Sequence, residues 1–388
     1  MSADEQLHVK SGASMHSDAV LAARELHAAL SQPDTSLVVF YCSPRYDLKA
    51  LADEISHLFG DIEVVGCTTA GEIGPTGYLT GALTGVSVAS PHFQAELVRI
   101  DKVSQFETND AERIAAEAFA RLSPLETKES LAHRFAFLLI DGLCMQEELV
   151  TSSLYRALGG IDLFGGSAGD GVDFRRTHIY HAGAFHTDAA VLTVVATSFP
   201  FTVFKTQHFV SSEAKMVVTQ ADPARRIVTE INGEPAGREY AKMVGLDVDK
   251  LTPMIFAAHP VVVRIGDEYY VRSIQKVNDD ESLSFFCAID EGIVLTVANG
   301  VDIVENLQAA FNAVRERIGT PQLVLGCDCI LRNLELDQRG LKLQVGDIFR
   351  ENNVVGFATY GEQFNAMHVN QTFTGVAIGA AAVPGGSP

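Results

Sequence analysis

Three times in 388 residues the chain writes one pattern: an apolar run, one or two glycines, small residues, then a glycine and an acid. The copies are VVGCTTAGEI at 64–73, LFGGSAGDGV at 163–172 and VVGFATYGEQ at 354–363. Short apolar, β-rich runs of this kind form buried strands. Glycine lets the backbone turn sharply at the strand end, and the acid accepts hydrogen bonds from neighbouring amides. Such a turn serves packing alone, or it lets the main chain approach a ligand closely with the acid or hydroxyl as a polar contact. Acids among small residues are costly in a turn that is merely buried. Gly71, Gly169 and Gly361 are therefore expected in tight turns at strand ends, at least two of them on one cleft. Thr69, Glu72, Ser167, Asp170 and Glu362 become candidate ligand contacts.

The surroundings of the first copy read as helix 18–30, strand 36–43, helix 48–59 and strand 62–69. A strand–helix–strand order of this length predicts a parallel pair with its helix crossing over the sheet. Antiparallel strands follow, then a helix over 110–122, a buried strand at 135–143, a helix over 146–158 and a meander. An Asn-Gly turn and a helix open a second mixed part, with a further helix over 302–318. A chain this long exceeds one ordinary core. The fold class is α/β, with mixed sheets, crossover helices and two related domains sharing a cleft. Residues 1–34 read as a tail and helix, 35–225 as the first domain, 226–382 as the second and 383–388 as a disordered tail.

The formal net charge of -20 argues against nucleic acid and anionic membrane as partners. No apolar segment is long enough to span a bilayer, and the N-terminus has no signal core, so a cytoplasmic protein is expected. Six cysteines are too sparse for a disulfide scaffold. Cys42, Cys67, Cys144 and Cys287 read as small buried hydrophobes. Cys327 and Cys329 would share one strand face, but no further ligands complete a zinc set, so both are expected reduced and metal-free.

GGSAG at 165–169 matches the nucleophile elbow of serine hydrolases, with Ser167 as nucleophile. The following DGVDFRRTHIY alternates like a strand, whereas an elbow leads into a helix. No phosphate-binding glycine loop of either common type is present. A non-enzymatic role is favoured, with a Ser167 hydrolase as an alternative.

VVGCTTAGEI, LLIDGL, FGGSAGD with THIY, EYYVRSI, IDEGIVLTV, CDCILR and VVGFATYGEQF, in that order, resemble the FIST family over roughly residues 35–380. The resemblance implies a FIST N-terminal and a FIST C-terminal domain. It implies a signal-input protein that binds a small ligand and acts through a histidine kinase or cyclase partner in trans, in a two-component or cyclic-di-nucleotide pathway. A subgroup of stand-alone FIST proteins binds haem and senses nitric oxide, so non-covalent haem b is the cofactor implied. A homodimer is compatible with this reading. The alternative within the family is a sensor of a small metabolite such as an amino acid, with Arg332 or Arg272 holding its carboxylate.

Non-covalent haem requires an axial ligand in an apolar wall. His259 is the polar residue in the apolar run Met254–Val263, and is expected as the iron ligand, with His208 or His368 next. Arg264 and Arg272 are candidates for haem propionates, and Tyr270 lies beside them.

Overall fold

The computed structural model describes residues 6–122, 133–266 and 268–380. The tail assigned to 383–388, and residues 1–5 of the N-terminal segment, lie outside the described residues. The remainder is one unit written three times, with one insertion.

The first repeat runs β1 (His8–Ser14), α1 (Ala19–Leu30), β2 (Thr35–Cys42), α2 (Leu48–Phe59) and β3 (Val64–Thr68). A short hairpin follows, β4 (Glu72–Gly74) and β5 (Gly77–Leu79), and then β6 (Leu83–Ala89). The second is β7 (Phe93–Asp101), α3 (Asp110–Leu122), β8 (His133–Ile140), α4 (Glu147–Ala157) and β9 (Asp162–Ser167). Its hairpin is β10 (Ile179–His181) and β11 (Ala184–His186), before β12 (Ala189–Thr197). The third opens with β13 (Phe201–Thr206), and here the insertion departs.

The insertion holds β14 (Phe209–Asp222), β15 (Ile227–Ile231), β16 (Glu234–Pro235), α5 (Ala236–Met243) and α6 (Pro253–Ala258). It continues through β17 (Val261–Ile265), β18 (Glu268–Arg272), β19 (Ile274–Val277), β20 (Leu283–Phe285) and β21 (Val294–Gly300). The third repeat resumes with α7 (Ile303–Ile318), β22 (Pro321–Cys329), α8 (Ile330–Gln338), α9 (Lys342–Glu351) and β23 (Val354–Thr359). Its hairpin is β24 (Glu362–Phe364) and β25 (Met367–Val369), and β26 (Phe373–Gly379) closes it.

Each repeat builds its own sheet in the same order. In β1-β6-β2-β3, β7-β12-β8-β9 and β13-β26-β22-β23 the last two strands of each order are parallel and the other neighbours antiparallel. Each hairpin then crosses to a different sheet. The β4-β5 hairpin joins β23, β10-β11 joins β3, and β24-β25 joins β9. The exchange is cyclic, so the three sheets close into a ring. Inward positions of the inner strands, such as Val39, Phe137 and Leu325, share one central core. Outward positions, Val38, Leu138 and Val324, pack under the helices of their own repeat.

The helices start where local chemistry places them. Asp18, Asp47 and Asp302 each accept backbone amides of the first turn. In α1 the buried residues Ala19, Ala22, Ala23, Leu26 and Leu30 trace one face. Sheet contact is tightest at Gly356, where a Cβ would stand 2.0 Å from the carbonyl oxygen of Gly326.

Mixed sheets with crossover helices are what the sequence predicted, and the repetition is threefold. Residue 225 lies in the turn between β14 and β15, two paired strands of the insertion. Among the described residues no helix is long and apolar enough to cross a membrane.

Candidate functional site

The glycine-acid turns are the points at which the chain leaves one sheet for the next. Ala70 N–H donates to Ala358 O at 2.9 Å, Gly169 N–H to Thr68 O at 2.9 Å, and Ser167 N–H to Gly361 O at 2.9 Å. The three turns thereby form a ring of backbone hydrogen bonds. Gly71 takes φ +143°, a conformation that favours glycine. A carboxylate caps the start of the last strand in each repeat. Glu72 accepts from Ala82 N–H at 3.0 Å, Glu362 from Thr372 N–H at 3.1 Å, and Asp141 from Asp188 N–H at 2.6 Å.

In the middle copy the acid of the motif, Asp170, does something else. Its carboxylate accepts the amides of Phe174, Arg175 and Arg176, each at 2.8 Å, and the hydroxyl of Tyr360. This pins residues 171–176 as a folded loop. Burial alone would raise Asp170, but these hydrogen bonds together outweigh it and hold the carboxyl below its ordinary value. Phe174 packs on Tyr360 at 4.5 Å and on Phe286 of the insertion at 5.6 Å.

Each repeat presents an equivalent rim, formed by the ends of its two parallel strands and the return of its hairpin. In the third repeat α6 covers the rim: Ala257 packs with Cys329, Ile330, Leu331 and Tyr360, and its carbonyl accepts from Gln371. Leu143 of the second rim packs into the same apolar patch as Phe286. The first rim stays open. It forms a cleft of about 500 Å³ between Ser43–Arg45, Thr69–Glu72 and Thr80–Gly81 on one side and the 170–178 loop on the other.

The cleft pairs free cations with a suppressed acid. Arg45 and Arg176 line it with exposed side chains, and neither forms an ion pair with a described residue. Glu72 is 1% exposed and is bonded by Thr69 Oγ1 at 2.6 Å. Burial raises its carboxyl to about 7, against the lowering effect of its hydrogen bonds. His178 is held below its usual value by burial and then by Arg176, so it lines the wall as a neutral ring.

Of the residues singled out from sequence, Thr69, Gly71, Glu72 and Asp170 come together here. Gly169 and Gly361 do not line the cleft, so only one of the three turn glycines does. A Cβ on Gly169 would meet Ala70 N at 2.8 Å, and one on Gly361 would meet the His368 ring at 2.2 Å. Both are packing positions. Glu362 is fully buried. Ser167 is fully buried, its hydroxyl accepts from Gln363 at 3.0 Å, and β9 leads into a loop and β10 rather than a helix. The elbow geometry is not formed.

Arg332 is not at a ligand surface. Fully buried, it donates to Asp328 at 2.8 Å and to Nδ1 of His208 at 3.0 Å. That fixes the proton of His208 on Nε2, which faces Glu335 at 2.8 Å. Sequence reasoning missed Arg45 and Arg176. Arg45, in Ser-Pro-Arg directly after a buried strand, carried a signal that could have been read.

The residues named for haem are not all brought to one face. The apolar run splits into α6 and β17, and half-buried His259 caps the helix with its carbonyl accepting from Tyr240. Register places Arg264 opposite Tyr269, and Arg272 opposite Val261, so Arg264 projects from the sheet face opposite to Tyr270 and Arg272. Tyr270 donates to Glu268 and lies under Lys205. Among the described residues no cluster of His, Cys, Asp and Glu could hold a metal. Cys327 and Cys329 are buried, which pushes both thiols up.

A ring of three mixed sheets with an open polar cleft at its first rim defines an α/β ligand-binding protein. Family models for the FIST N domain and the FIST C domain match residues 36–234 and 236–365. The chain belongs to the FIST family, whose domains are sensors of signal transduction that bind small ligands. A search of curated proteins returned no match. Among solved structures, a cyanuric acid hydrolase from A. caulinodans aligns over 97% of this chain and 99% of its own, at 9% identity and a TM-score of 0.37. That similarity assigns neither substrate nor reaction.

Proposed function

We propose that this is a non-enzymatic signal-input protein whose sensing site is the open cleft of the first repeat. Its ligand is a small polar metabolite with an anionic group, of which an amino acid is the leading case. One observation carries this reading: of three equivalent rims one is open, and it holds two guanidinium groups without ion-pair partners among the described residues. Arg45 and Arg176 suit a carboxylate. Asp173, exposed on the same wall, suits an ammonium group.

A route for the signal lies in the 171–176 loop. It forms one wall of the cleft and reaches the insertion through Phe174 and Phe286. A ligand that orders this loop alters the surface of the insertion, where a kinase or cyclase in trans would read it. The haem and nitric oxide reading rests on family resemblance, with Arg264 facing away from Tyr270 and Arg272. A Soret band on adding hemin to the purified protein would revive it. Isothermal titration against a panel of amino acids and small carboxylates tests the proposal. Saturable binding that is lost in Arg45→Ala/Arg176→Ala supports it. Binding that survives in that variant, or a panel without any binder, overturns it.

A further inference from the structure

The rim of the third repeat, roofed by the insertion, carries donors that no described residue satisfies. Arg272, at the end of β18, is 8% exposed. Its Nη1 reaches the carbonyl of His368 at 3.5 Å and its guanidinium donates to Cys287, but Nε has no partner. No described carboxylate forms an ion pair with it. Asn370 occupies the position that Thr80 holds in the open cleft. It is fully buried, and both atoms of its amide are unpartnered.

His368 completes the set. Its Nδ1 faces the amide nitrogen of Gln363 at 3.2 Å and therefore accepts. The proton then sits on Nε2, which is buried and unpartnered. A Cβ on Gly361 would stand 2.6 Å from that nitrogen and 3.1 Å from Nδ2 of Asn370. The two donors lie on the same side of Gly361, whose lack of a side chain lets both approach its backbone. Glu148 acts on His368 through space, but Arg226 and the Ala288 amide already engage its carboxylate. Arg226 provides the contrast, since this second buried cation of the insertion is bridged by both Glu147 and Glu148. A buried guanidinium without such a partner is costly.

We propose that Arg272, His368 and Asn370 form an enclosed site for a small carboxylate anion of formate or acetate size, distinct from the open cleft. The free Nε beside an Nη presents the edge of the guanidinium that pairs with a carboxylate through two parallel bonds. Nε2–H of His368 and the amide of Asn370 donate to the same ligand. Residues of the insertion cover this rim, so the site selects against larger acids.

Thermal melts of the full chain in formate, acetate and gluconate at equal ionic strength test this. Formate and acetate are expected to raise Tm saturably, and gluconate is not. Asn370→Ala should weaken the apparent affinity about tenfold or more. Arg272→Met should abolish the effect while being no less stable than the wild type in anion-free buffer, because it removes an uncompensated charge. Arg45→Ala/Arg176→Ala should keep the effect, which separates this site from the open cleft. If Arg272→Met fails to fold, Asn370→Ala decides. A Tm that does not respond to acetate, a response unchanged in Asn370→Ala, or a crystal grown in acetate with only water at Arg272 overturns the proposal.

Discussion

Glu72 and Glu362 hold the same place in two repeats, and both cap the start of the final strand through a backbone amide. Glu72 alone borders the open cleft, and its carboxyl is raised from 4.5 to about 7. Between those values the folded chain binds more protons at this residue than the unfolded chain, so stability falls as pH rises through the window. The effect is on the order of 3 kcal/mol at full extent. Glu72→Gln carries no such proton, and urea melts at pH 5 and pH 8 should show a smaller loss of stability than the wild type. Equal losses would mean that Glu72 titrates normally. Arg332 gives a second case. Arg332→Met leaves Asp328 buried without its cation and should cost about 3–5 kcal/mol. Adding Asp328→Asn should recover most of it, and an additive double variant in chemical denaturation would refute the coupling. At this scale the sequence showed which residue types were unusual, and Thr69, Glu72 and Asp170, singled out there, line one cleft. It could not separate Arg45 from Arg332, because each follows a strand end in the chain. Arg332 is buried among Asp328, His208 and Tyr78, which come from distant parts of the chain, whereas Arg45 is exposed.

The 171–176 loop shows how an element escapes a periodicity reading. DGVDFRRTHIY alternates in sequence, yet strand begins only at Ile179. Side-chain acceptors, not a neighbouring strand, satisfy the amides of Phe174, Arg175 and Arg176. Helices were legible because their signals are local, as with Asp47 capping α2 and Asp302 capping α7. The apolar run around His259 was misread as one wall because a helix and a strand meet there at Pro260. The loop supplies its own prediction. Tyr360→Phe deletes the hydroxyl that donates to Asp170 and accepts its amide. The fold should persist with a loss of about 1–2 kcal/mol, while amide exchange in 171–176 accelerates and cleft affinity falls. Unchanged exchange in the loop would show that Asp170 holds it unaided.

The threefold ring was the least legible feature of the whole molecule, for a physical reason. Its closure depends on pairings such as Glu72 with Phe357 and Gln363 with Gly165, which no local pattern encodes. The middle copy also hides its kinship, since Asp170 has moved to the loop and Asp141 caps in its place. The insertion then breaks the third copy between β13 and α7. Its two ends lie side by side: Phe209 pairs with Gly300, and Val301 N–H donates to His208 O at 2.8 Å. The ring therefore does not need the insertion to connect its strands. Replacing residues 212–297 with a two-residue turn would keep β13, the start of β14, the end of β21 and α7 in register. Such a chain should retain mixed α/β circular dichroism, because the central core and the three helix-covered faces contain no residue of the excised segment. It should also expose Leu331, Tyr360 and Phe174, which Ala257 and Phe286 now cover, and so bind an apolar dye. Arg272 and its enclosed site would be lost with the segment, whereas Arg45, Glu72 and Arg176 would remain. Ligand binding at the open cleft should then persist in a protein that no longer responds to acetate. A shortened chain without cooperative unfolding would show instead that the insertion and the ring fold as one unit.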